Sequence, residues 1–304
     1  MNLHALYKAL DDFICRVAKK DDPPDWEKLH RIADSMMPQM RDAFLKAVAA
    51  LQGSIAVRQV EEALASGDAE KAMSAINWPV LATEMSVVQT IITALVGQAG
   101  VVAAQSLAVN YGISYSFDLL NPAAVEWIKR HTGDLITQIT EESKLAIRAI
   151  IQDAFENGGH PYKTARQIRQ YIGLTERDAR AVLNYWKKLN QEANLSAKQV
   201  NDMADTYARK LLRQRAETIA RTETINASAE GQRKLWEQAS ADNMLLGFER
   251  TWIVTPDDRL CQRCSAMKGQ RAPIGGVYPN GSSGPTLHPR CRCAEGLVEI
   301  TDKT

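Results

Sequence analysis

Between about residue 25 and residue 240 the apolar positions recur at three- and four-residue intervals, the period of amphipathic helix. Upstream, Leu3, Leu6, Leu10, Phe13, Ile14 and Val17 make one such stripe, which ends where Pro23 and Pro24 interrupt it. Trp26 to Ala65 predicts one or two further helices, with a break expected at Pro38 or Gly53. Ser66-Gly67-Asp68 and Asn77-Trp78-Pro79 read as turns. Asn121-Pro122 opens another helix that reaches Phe155, since proline suits the first helical position, and Gly133 marks an expected break. Asn157-Gly158-Gly159-His160-Pro161 is the densest turn signal in the chain. Two short helices follow, at 162–171 and 176–190, the second capped by Thr175. Ser196 caps a longer one, from about 197 to 240.

Beyond Gly247 the period changes. Phe248, Trp252, Ile253 and Val254 predict a strand, and residues 294–300 a closing one, on either side of a stretch dense in glycine and proline. The expected fold class is mainly α: a helical N-terminal domain plus a C-terminal α+β domain ending in a small Cys/His-rich module. The chain divides into a helical N-terminal domain over 1–156, a basic helical segment over 157–246 and the small module with short strands over 247–304.

One helical stretch stands apart. Residues 85–117 carry no charged side chain, and 33 uncharged residues are long enough to span a bilayer. Gln89, Thr90, Thr93, Gln98, Gln105 and Ser106 interrupt that apolarity. Gly100, Ala104 and Ala108, four residues apart, make a small-residue ridge that permits close helix contact. The stretch reads as a core helix or a subunit contact, with membrane contact or a mobile, non-helical stretch as the alternatives.

Length and composition set the scale. At about 100–200 residues per domain, 304 residues imply roughly two domains. Hydrophobic residues are 45% and charged residues 24%, which excludes wholesale disorder. The net charge of +1 excludes a histone-like or polyanionic protein, yet it is an average over unlike segments. Residues 1–80 sum to −2, 81–159 to −4, 160–221 to +7 and 222–304 to 0. The basic segment holds Arg166, Arg169, Lys187, Lys188, Arg209, Lys210 and Arg213, with the last three able to share one helical face. Such a face neutralises phosphates or meets an acidic protein surface, or is simply solvated.

Four of the five cysteines lie in the last sixth of the chain, and Cys15 stands alone near the start. The first residues are amphipathic and charged, without an apolar signal core, so synthesis in a reducing cytoplasm is expected. Cys261 and Cys264 have C-x2-C spacing, and His288, Cys291 and Cys293 follow as His-Pro-Arg-Cys-Arg-Cys. Two thiolates on a tight turn and a second pair from elsewhere complete a tetrahedron around zinc. Five candidate ligands compete for four places, and disulfides or free thiols are the alternatives to structural zinc.

The C-terminal stretch resembles the Mu F-like phage head-morphogenesis (minor capsid) proteins. The resemblance is carried by Ala220-Arg221-Thr222-Glu223, Asn226-Ala227, Gly231, Trp236, Trp252, Asp257-Asp258, Cys261 with Cys264, Gly269 and the His288-to-Cys293 ending. It covers about 155–297. It implies a low-copy, non-enzymatic component of a tailed-phage procapsid. Such a protein is made in the host cytoplasm and built into the virion in several copies, at the capsid interior near the portal. Portal and capsid proteins are the implied partners. Double-stranded DNA is a further one, contacted during packaging or accompanied on ejection. The alternative is a zinc-stabilised DNA-binding protein acting in genome packaging or delivery. Arg221, Thr222, Glu223, Trp236, Trp252 and Asp257 are expected to be structural, with the two tryptophans anchoring the module to the long helix. No G-x-S-x-G, Walker loop or H-E-x-x-H occurs, and no catalytic residue is assigned.

Overall fold

The computed structural model describes residues 25–192, 194–255 and 260–300. The stripe at residues 3–17, Cys15, Asp257 and Asp258 lie outside them. The described residues are mainly helical: α1 (Asp25–Ser54), α2 (Val57–Ala65), α3 (Ala69–Ser74), α4 (Pro79–Met85), α5 (Val87–Tyr111), α6 (Pro122–Glu156), α7 (Pro161–Tyr171), α8 (Glu176–Asn190) and α9 (Ala197–Ala241). Then come β1 (Phe248–Ile253), the single-turn α10 (Gln262–Ser265), β2 (Arg271–Pro273) and β3 (Ala294–Glu299). The mainly α class with a small C-terminal α+β part is what the periodicity predicts.

The break expected at Pro38 or Gly53 does not fall at Pro38, and the one expected at Gly133 does not occur. α1 runs through Pro38 and α6 through Gly133. Pro38 and Asp34, whose carbonyl loses its helical donor, are both exposed, so water can satisfy the freed group. Gly133 is exposed with open space where a Cβ would point, and a glycine there costs only about 1 kcal/mol against the buried Ile128, Leu135 and Ile139 beside it. The break at Gly53 does occur, with α1 ending at Ser54.

The chain packs into two compact units, each drawn from separated stretches. One takes residues 37–91 and 126–220; the other takes the described parts of 1–36, 92–125 and 221–304. The turn at 157–159 falls inside the first unit.

In the first unit Met40, Phe44, Val48 and Leu51 of α1 are buried, as are Ile139, Ile147 and Ile151 of α6, Ile168 of α7 and Val182 of α8. Gly173, between α7 and α8, sits at φ +82, and a Cβ there would lie 2.6 Å from Val48. Only glycine takes that backbone at that distance. Arg215 of α9 donates to the Gly173 carbonyl and pairs with Glu142 of α6, fixing the turn. Thr175 caps α8 by accepting from the Asp178 N–H at 3.2 Å, as its sequence position predicts.

The uncharged run takes in the whole of α5, which lies in the second unit from Ile92 onward, and helix stops at Tyr111. Gly112, at φ +67, turns the chain, and the return segment lays the Phe117 ring on Gly100 and Leu119 on Gly97. The Gly100 end of the small-residue ridge is therefore covered by its own following segment, whereas Ala108 is exposed. Ile92, Leu95, Val96 and Leu107 are buried, so much of the apolar face lies inside this unit. By length and composition alone, a stretch ending in α5 also meets the requirement for crossing a bilayer. Gly231 of α9 meets α5 most closely, and a Cβ there would lie 2.3 Å from the Val96 carbonyl oxygen. The sheet has the order β2-β1-β3, antiparallel throughout, with Arg250 opposite Ala272 and Leu297, and Trp252 opposite Glu295.

Candidate metal centre

Cys261 caps the single turn of α10, its sulfur accepting from the Cys264 N–H at 3.4 Å. The C-x2-C spacing thereby points both thiols the same way. His288, Cys291 and Cys293 arrive on the loop that leads into β3. The His288 Nε2 lies 3.3 Å from the Cys261 sulfur and 3.2 Å from the Cys264 sulfur, and the Cys264 and Cys291 sulfurs are 3.6 Å apart. A tetrahedral ion bound at about 2.3 Å to sulfur and 2.0–2.1 Å to nitrogen spaces its ligand atoms about 3.5–3.8 Å apart. The observed edges are close to that. Cys261, Cys264 and His288 form one group that can hold a metal ion; Cys264, Cys291 and Cys293 form another, sharing Cys264. All four cysteines are free, and 3.6 Å is far beyond the roughly 2.05 Å of a sulfur–sulfur bond.

The electrostatics agree with a cation-seeking cluster. The Cys291 thiol is pulled down to about 5 by the hydrogen bond from Cys293, against its burial. Cys261 is lowered by the Cys264 N–H. Burial pushes Cys264 up to about 12, and the bond to Cys291, with burial, pushes Cys293 up. Four thiols this close share their negative charge unequally, because all four cannot ionise without a cation among them. The His288 Nδ1 lies 2.9 Å from the Pro289 carbonyl; a proton there leaves Nε2 free to face the sulfurs. Around the cluster pack Trp252, Val254, Met267, Ala272 and Tyr278, with Trp252 and Tyr278 edge to face at 5.0 Å.

One face of α9 carries this module. Thr222 Oγ1 accepts from the Arg290 N–H at 3.1 Å, and the Thr286 hydroxyl donates to Asn226 Oδ1 at 2.7 Å. These residues are four apart on the helix, so both ends of the His288 loop are held by consecutive turns. Further along, Arg233 pairs with Glu230 and with Glu295 of β3, and also donates to the Pro285 carbonyl. Glu295 in turn accepts from Arg250 at 2.9 Å and from the Tyr278 hydroxyl at 3.0 Å. Arg250 spends its remaining donors on the carbonyls of Pro273, Gly276 and Ser283. Burial alone would lower the Arg233 pKa, but Glu230 and Glu295 outweigh it and raise it. Burial would raise Glu230, but Arg233 and Lys234 outweigh it and lower it.

Sequence reasoning missed Glu230, Arg233, Arg250, Tyr278 and Glu295. A signal existed for Arg250: it shares the strand face of Phe248 and Trp252, where an arginine must find buried acceptors. Of the family-motif residues, Arg221 lies near enough to His30 to lower its pKa further, after burial, and Glu223 is buried. Trp236 packs with Leu107, Leu235 and Leu297, and Trp252 fills the cysteine module itself.

The basic residues fall in the first unit and do not act alike. Lys187 is paired with Asp153. Lys188, Lys210 and Arg213 are exposed. Arg166 and Arg169 line one groove, and Arg209 lines a cavity continuous with it through Arg169.

No curated protein and no solved structure matches the chain. Residues 146–295 match the family described as phage Mu protein F like protein. Those residues include the Thr222–Asn226 face, all five candidate metal ligands and the Arg233–Glu295–Arg250 network, so the C-terminal half of this chain is similar to phage Mu protein F.

Proposed function

We propose that this chain is a non-enzymatic minor capsid protein of a tailed phage. It assists procapsid assembly beside the portal, on the capsid interior, in several copies per head. The family match over 146–295 carries this reading. The cysteine module supports it physically, as a small domain locked to α9 by buried ion pairs and suited to a structural crosslink. Zinc is the ion the donor set favours: thiolates and one imidazole in a closed, largely apolar shell. Four of Cys261, Cys264, His288, Cys291 and Cys293 would hold it, with Cys264 common to both groups of ligands. The ion would supply only a crosslink. Elemental analysis of the purified chain should give about one zinc per molecule, and no metal together with oxidised cysteines would favour disulfides instead. Cryo-EM of procapsids and mature heads should find density for the chain next to the portal; absence from both would overturn the assembly role. The division into 1–156, 157–246 and 247–304 is proposed as one of roles: portal or capsid contact, DNA contact and crosslinked module.

The convergence of Arg166, Arg169 and Arg209 favours a second reading, a zinc-stabilised protein that binds DNA directly during packaging or delivery. Salt-dependent binding of duplex DNA by the full chain without portal supports it. Binding seen only with portal present supports the first.

A further inference from the structure

Within the segment of net +7, the cations divide into two kinds. Arg177, Arg180, Lys187 and Arg215 each have a carboxylate partner. Lys163, Arg166, Arg169 and Lys198 make no ion pair among the described residues, and all four are exposed along one groove. The groove is about 920 Å³ and lies between α7, the end of α8 and the start of α9. It continues, through Arg169, Gln170 and Asp205, into a cavity of about 400 Å³ that Arg209 also lines. The carboxylates of Asp202 and Asp205 line it too, so five cations face two acids. Burial raises the Asp205 pKa, with Arg209 acting against it.

Uncompensated cations in a concave site call for a polyanion, and the rest of the lining says which. Tyr162 is exposed at the groove edge, with the Arg166 guanidinium 5.5 Å from its ring centre. Trp186 is half-buried in the wall and held by its Nε1–H on Asn201 Oδ1 at 2.9 Å. Gln167, Gln170 and Asn190 offer amides between the charges. We propose that this groove binds an unpaired stretch of nucleic acid, its phosphates on Lys163, Arg166, Arg169 and Lys198 and its bases against Tyr162 and Trp186. A duplex keeps its base faces stacked inside and cannot offer them to either ring, whereas an unpaired strand stacks on aromatic side chains and tracks a basic groove. An acidic peptide would also satisfy the cations, and competition by polyglutamate separates the two. The proposal rests on the reading that the basic segment meets nucleic acid.

The test uses the full chain and a labelled DNA strand of about twelve nucleotides, alone and as its duplex, across a salt series. The single strand should bind about tenfold tighter than the duplex. Tyr162→Leu, at an exposed position, should weaken single-strand binding about tenfold and leave duplex binding unchanged. Lys163→Gln with Lys198→Gln should flatten the log–log salt slope by about 1.4, near 0.7 per cation removed. A duplex bound as tightly as the strand, or no effect of Tyr162→Leu, overturns the groove proposal while leaving DNA contact standing. No binding of either form overturns both. Competition by polyglutamate as strong as by the strand overturns it in favour of an acidic protein partner.

Discussion

At Glu295 two guanidinium groups and a phenol converge on one fully buried carboxylate, and Arg233 carries the link on to Glu230 in α9. Such a cluster contributes little net stability against a well-packed apolar one, but losing a single partner strands the others without water. Glu295→Gln is therefore expected to cost about 3–5 kcal/mol, read as a lower urea midpoint. Glu230 also sets a pH response. Its folded pKa lies below the ordinary 4.5, so its contribution is complete above that value and is lost as pH falls through the folded one. Urea midpoints of the parent and of Glu230→Gln should differ above about pH 4.5 and converge in stronger acid. Thr222→Val removes the acceptor for the Arg290 N–H and should cost about 1 kcal/mol and weaken metal retention in a chelator competition. The ligands themselves were legible, because C-x2-C and His-Pro-x-Cys-x-Cys spacings are local. The ion-pair network was not, because its members span 230 to 295 and only folding shows that they meet.

Helices carry the same contrast. Their periods located nearly every element, since an apolar stripe reports which face will be buried before it reports against what. Pro38 and Gly133 misled because a breaker acts only where the lost hydrogen bond cannot be replaced or the lost propensity outweighs packing, and both positions are exposed on long, well-packed helices. Two glycines test this. Gly133→Ala should stabilise by up to about 1 kcal/mol. Gly231→Ala drives a methyl group against the Val96 carbonyl oxygen and should destabilise by about 1–3 kcal/mol. Equal effects in thermal denaturation would mean that the α5–α9 approach leaves room for a methyl group. The ridge at Gly100 belongs here too: sequence marked it for close contact, but not that Phe117, seventeen residues on, would supply the contact.

For the molecule as a whole, the +7 segment was visible in a charge count, but its sorting into paired cations and a groove was not. The cysteine module is the other global element. Three of the eight buried residues in its core are cysteines, so little apolar packing would hold it without the proposed crosslink. Stripping metal with a chelator should redden and weaken tryptophan fluorescence from Trp252 while the helical circular dichroism signal largely persists. The compact units bear on how such a protein can be inherited or dissected. The family-matched stretch begins at residue 146, yet the unit that contains the cysteines also uses residues 92–125, whose Leu107 and Phe117 pack with Trp236 and Leu297. A gene fragment cut at the edge of the match would therefore encode the ligands without the wall they lean on. The stretch is not a transferable cassette: a recombination event or an expression fragment that keeps it folded has to bring α5, or a substitute for it, from outside the matched sequence.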